Sequence, residues 1–145
     1  MTDTDDLAGV LFGLEPGALT TAAVTARITR AIVEWAAARG WVTRSEARVG
    51  VPVLDGERAQ LGFVDVIVKR GPDQRDLAIE IDSTDKPWSV AKLRHALAAG
   101  MHAIWIRWGD DAWAGAFDDL DVIQLPFKRR PRSRAMGSGQ MSLWP

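Results

Sequence analysis

Val24, Ile28, Ala31, Ile32 and Trp35 recur at three- and four-residue spacing and predict an amphipathic helix over 20–39. Thr20 or Thr21 can cap its start, Gly40 stands where a glycine ends a helix, and Arg27, Arg30 and Glu34 fall on the polar face. Residues 41–54 read as a strand of imperfect alternation, closed by the turn signal Asp55-Gly56. Over 61–69 the alternation is strong, with Val64, Val66 and Val68 on one face and Phe63, Asp65 and Ile67 on the other. Turn chemistry over 70–75 leads to a strand at 77–82, where Leu77, Ile79 and Ile81 oppose Ala78, Glu80 and Asp82. A second helix is expected from about Ser89, read as its N-cap, with the stripe Val90, Leu93, Ala96 and Leu97 and Gly100 at its end. A buried strand at 102–108 and a short one at 122–125 complete the order α-β-β-β-α-β-β. A strand–helix–strand crossover after a meander predicts an α/β domain with a mixed β-sheet flanked by helices.

Composition narrows the chemistry. The 145 residues fit one domain, and 47% hydrophobic with 26% charged residues excludes wholesale disorder. Cys 0 removes disulfide scaffolds, thiol nucleophiles, cysteine zinc sites and iron–sulfur clusters. Charged residues interrupt every candidate apolar run before the ~18 residues a membrane helix needs. Asp3, Asp5 and Asp6 occupy the place of a basic signal-peptide region. A soluble cytoplasmic protein without a membrane partner is therefore expected.

The net charge of −1 hides a gradient. Acids dominate the first twenty residues, whereas Lys128, Arg129, Arg130, Arg132 and Arg134 crowd together near the other end. Such a cluster favours approach to phosphate through counterion release, and reads equally as a solvated tail. The expected division is an acidic leader over 1–19, an α/β domain over 20–127 and a basic tail over 128–145. The apolar patch at 7–14 either covers the sheet or lies loosely over the basic surface.

Two acids stand where a core belongs. If strands 61–69 and 77–82 form a hairpin centred between Pro72 and Asp73, cross-strand partners share a constant sum of 145. Asp65 and Glu80 are then partners, with Cβ atoms ~4.5–5.5 Å apart. Asp82 follows two residues on and shares the face of Glu80. Carboxylates gathered this way repel one another, and Mg²⁺ or Mn²⁺ would compensate them. The competing reading is a solvent-facing side of an antiparallel sheet, and a one-residue slip would send the two acids to opposite faces.

This pattern resembles the PD-(D/E)xK nuclease superfamily, the restriction-endonuclease-like fold. Gly62-Phe63-Val64-Asp65 matches its first acidic motif, Glu80-Ile81-Asp82 its second, and Glu34 its supporting helix acid. The helix–three-strand–helix–strand order over roughly 20–110 is similar as well. The resemblance implies Asp65, Glu80 and the Ile81 carbonyl as metal ligands, with Asp82 orienting that ion or binding a second. It departs at Asp82, which stands where the family usually has a lysine. Lys92 on the following helix, or else Lys86 in the loop before it, is the candidate replacement cation; an ordinary solvated lysine is the alternative for Lys92. The implied activity is Mg²⁺- or Mn²⁺-dependent hydrolysis of DNA phosphodiesters in repair or processing. Lys86, Arg94 and the basic residues Lys128, Arg129, Arg130 and Arg132 would contact nucleic acid, with Trp88 and Arg107 along its approach. Trp88 and Trp105 otherwise read as packing residues, and His95 and His102 as structural. The resemblance leaves a homodimer open.

After Gly137-Ser138-Gly139, the segment Gln140-Met141-Ser142-Leu143-Trp144 resembles the peptide by which bacterial repair and replication proteins dock on the DNA polymerase sliding clamp. It implies a nucleoid-associated clamp client; back-folding onto the domain and a cloning remnant are the alternatives. Two rival functions are carried alongside the nuclease: a catalytically silent DNA-binding or clamp-binding adaptor on the same fold, and an RNA-directed nuclease.

Overall fold

Among the described residues the hydrophobic periodicities become three helices and five strands: α1 (Asp3–Phe12), α2 (Thr21–Ala38), β1 (Val42–Asp55), β2 (Arg58–Lys69), β3 (Leu77–Asp82), α3 (Pro87–Ala98), β4 (His102–Arg107) and β5 (Asp121–Gln124). The structure, a computed structural model, describes residues 2–15, 17, 20–55, 58–84, 86–109 and 119–128. Arg129, Arg130, Arg132 and the peptide over 140–144 lie outside the described residues. The strands form one mixed sheet in the order β1-β2-β3-β4-β5. β1, β2 and β3 pair antiparallel, and β3, β4 and β5 pair parallel.

Helices cover both faces of this sheet. Leu7 and Leu11 of α1 join Val24, Ile28, Ile32 and Trp35 of α2 over Val66, Val68, Leu77, Ile79, Ile81, Ile104 and Ile106. Val90, Leu93 and Ala96 of α3 pack on Ile67, Ala78, Ala103 and Trp105 of the other face. β3 is buried at all six positions, as a central strand covered on both sides must be. The alternation expected along β2 holds at Val66, Ile67 and Val68 but not at Val64, which joins the α3-side cluster. Val64 lies beyond Val66↔Ile79, where the described β2–β3 ladder ends.

Both long helices stop the same way. Gly40 and Gly100 take positive φ (77° and 93°), and the next residues, Trp41 and Met101, donate back to Ala36 O and Ala96 O at 3.0 Å. This is the glycine-terminated closure that an L side chain would strain.

Two elements differ from the sequence reading. Much of the expected leader is α1, an integral helix. Thr2 and Asp5 form a reciprocal capping box, acids fill the first turn, and Leu7 and Leu11 are fully buried. Of the two alternatives for 7–14, covering the sheet is the one observed. The second helix starts at Pro87, not Ser89: Lys86 is its N-cap without a side-chain bond, and Pro87 pre-sets the first turn. Among the described residues, no helix is long and apolar enough to cross a membrane.

Candidate functional site

The site lies where β2 and β3 stop pairing. Their ladder runs Val68↔Leu77, Ile67↔Ala78, Val66↔Ile79, the constant-sum register expected from the hairpin. One residue farther on, side-chain bonds take over. Asp65 Oδ2 accepts the Ile81 N–H at 2.7 Å, and Glu80 Oε1 accepts the Asp65 N–H at 3.2 Å. Each acid thus satisfies a backbone donor on or beside the opposite strand, which fixes both carboxylates at the mouth of the hairpin.

α3 supplies the remaining partners. Lys92 Nζ lies 3.1 Å from Glu80 Oε1, and the Ser89 hydroxyl donates to Oε2 at 3.2 Å. Ser89 and Lys92 are three residues apart, so both face the sheet from the same side of α3. Reading Ser89 as a cap missed this role; its i, i+3 relation to Lys92 was the available signal. Glu80 is 2% exposed. Burial, with Asp65 alongside, pushes its pKa up to about 7 against the opposing pull of Lys92. Burial also raises Asp65, opposed by the Ile81 N–H.

Asp82 has partners of its own, while its charge still adds to the upward push on both acids. Its Oδ2 accepts the Trp105 indole N–H at 2.8 Å, and Lys86 Nζ stands 3.5 Å from Oδ1. Trp105 therefore packs, as expected, and also anchors an acid. Arg107 is 1% exposed, with its guanidinium over the Trp105 ring, so it does not line a nucleic-acid approach. As a residue of β4 covered on both faces, it had nowhere exposed to point. Arg94 is exposed and ion-paired with Asp119, while Lys128 is exposed. Glu34 is largely solvated and paired with Arg30, 3.7 Å away. His102 has the structural role expected of it, bonded to Asp121 at 2.6 Å.

On the α2 side, Asp65 borders a cleft of about 410 Å³ lined by Thr25, Ala26, Thr29, Arg30, Ser45 and Asp65. Sequence reading placed Arg30 on the polar face of α2 and did not single out Thr25, Ala26 or Thr29, although the four form one stripe beside the buried one.

The donor set can be tested against a divalent ion. Asp65 and Glu80 are hard oxygen ligands, adjacent and raised in pKa by burial, which a cation would relieve. Mg²⁺ is commonly held by one or two carboxylates and several waters, so the pair fits. Among the described residues no group of three or more Asp, Glu and His converges on such a point, which leaves Asp82 outside a first ligand set. An ion would compete with Lys92 for Glu80 Oε1. Searches of protein-family models, curated proteins and solved structures gave no match to this chain.

Proposed function

We propose that this chain is a restriction-endonuclease-like, Mg²⁺- or Mn²⁺-dependent DNA nuclease, brought to its substrate by the sliding clamp through residues 140–144. The carrying observation is the junction of Asp65 and Glu80 at the splayed β2–β3 mouth with Lys92 at 3.1 Å from Glu80. The strand order, with an antiparallel hairpin followed by a parallel crossover, agrees with the fold that the motifs resemble.

In this reading Asp65, Glu80 and the Ile81 carbonyl hold the ion, which when bound supplies a lowered water pKa and charge neutralisation at the scissile phosphate. Ser89 fixes the rotamer of Glu80. The ammonium of Lys92 replaces the lysine that Asp82 displaces from the usual motif position, and offsets charge on the attacking oxygen or the phosphate. Trp105 and Lys86 orient Asp82, which then acts from the margin of the site.

A second reading, the catalytically silent DNA-binding or clamp-binding adaptor, draws on a different observation. Lys92, Ser89 and Trp105 satisfy Glu80 and Asp82 without any ion. Incubation with single-stranded, nicked, branched and mismatched DNA in Mg²⁺ or Mn²⁺ separates the two. A nuclease cleaves at least one of these, and D65A and E80A abolish the cleavage while keeping the wild-type circular dichroism. An adaptor cleaves none, and loses clamp binding when 140–145 are removed. An RNA substrate run in parallel tests the RNA-directed alternative.

A further inference from the structure

The cleft beside Asp65 has a composition of its own. Its α2 wall is Thr25, Ala26, Thr29 and Arg30, successive turns of one helix face; its β1 wall is Ser45; its inner edge is Asp65. None of these six side chains is aromatic, so the cleft has no platform on which a base could stack. It offers instead one guanidinium and the hydroxyls of Thr25 and Ser45, groups that bind phosphate and sugar oxygens. At about 410 Å³ it falls within the size range of small-ligand sites, with room for a nucleotide-sized unit and not for the width of a duplex. Asp65 closes one end, and Glu80 and Lys92 lie on the far side of Asp65.

We infer that this cleft is a subsite for the sugar–phosphate backbone of a single DNA strand, in which Arg30 takes a phosphate adjacent to the one held at Asp65 and Glu80. The inference rests on the nuclease reading for the role of the acids, and its own test is one of binding. Arg30 is available for this work: its present partner is Glu34 at 3.7 Å, an exposed pair within one helix that contributes little. Ser45 on the opposite wall and the Thr25 hydroxyl supply the neutral contacts. Thr29 commits its hydroxyl proton to Thr25 O at 2.9 Å and so lines the cleft without offering a phosphate a donor. Because Asp65 and Glu80 repel an anion, occupancy requires a divalent ion, and Ca²⁺ serves as an unreactive one.

The test is titration of the full chain with the 5′-phosphorylated dinucleotide pTpT in Ca²⁺, followed by calorimetry or NMR. Arg30→Gln is expected to weaken binding about tenfold, the scale of one charge-assisted hydrogen bond. Ser45→Ala weakens it by a smaller factor, and Arg75→Gln, in the exposed turn at the other end of the hairpin, leaves it unchanged. Unchanged affinity in both R30Q and S45A overturns the subsite, as does wild-type protein that fails to bind pTpT. Failure of the nuclease reading shows separately, as absent metal-dependent cleavage by wild-type protein.

Discussion

Asp65 is both donor and acceptor across the mouth of one hairpin: its amide donates to the Glu80 carboxylate, and its own carboxylate accepts from Ile81, the residue after Glu80. The two acids therefore act as a structural unit before any ligand arrives. Neutralising either one is expected to disturb the other.

Glu80 makes the fold sensitive to pH. Its pKa rises from 4.5 to about 7 on folding, so the folded state holds the proton more tightly than the unfolded chain. Stability from this group is full below its unfolded pKa and lost as pH rises through its folded value. The whole change is on the order of 3 kcal/mol. Thermal melts in chelator should show falling Tm between pH 5 and pH 8 in wild type, and a flatter profile in Glu80→Gln.

A divalent ion should oppose that loss. Metal binding stabilises the ionised carboxylates, so saturating Mg²⁺ or Mn²⁺ at pH 8 should raise Tm and release protons to the buffer. Calorimetry in buffers of different ionisation enthalpy measures the release. In Asp65→Ala the gain in Tm should vanish.

Lys92 should matter more to reaction than to folding. Lys92→Met keeps the aliphatic stem and removes the charge 3.1 Å from Glu80. Cleavage should fall by roughly 10²-fold or more, the scale of removing one preorganised charge stabiliser. Below pH 6 the variant should melt close to wild type, because protonated Glu80 no longer needs the cation.

The first helix should behave as core. Leu11→Ala empties a fully buried position and should destabilise the domain by about 2–5 kcal/mol in denaturant titration. The polar tie beside it is acid-sensitive. Burial works against the Asp121 carboxylate, but its hydrogen bonds from Thr4 and His102 outweigh this and leave its pKa lowered. That contribution is present above pH about 4 and lost as pH falls through the lowered value. Asp121→Asn should therefore blunt the acid limb of the Tm profile.

The hairpin was readable because two rules agreed. A compact turn set one register, and period-2 alternation over 66–68 and 77–82 allowed no other without exposing the core. That agreement brought Asp65 to Glu80, and helical spacing then placed Lys92 near both. The C-terminal ends of α2 and α3 followed from Gly40 and Gly100. The first helix escaped because its acidic first turn resembles a solvated leader, although the i, i+4 pair Leu7 and Leu11 marks a buried seam. Arg107 misled because a charge in a strand reads as exposed, whereas here it lies beneath an indole. The anchoring of Asp82 by the indole of Trp105 is a tertiary contact with no local signature.

The hydroxyl of Thr4 donates to Asp121 at 2.6 Å, joining positions 117 residues apart. Closure of this fold consequently waits for nearly the whole domain to leave the ribosome. Contacts of such long range make for slow assembly. Until β5 arrives, the apolar side of α1 remains uncovered on the flank where Ile123 and Leu125 complete its cluster.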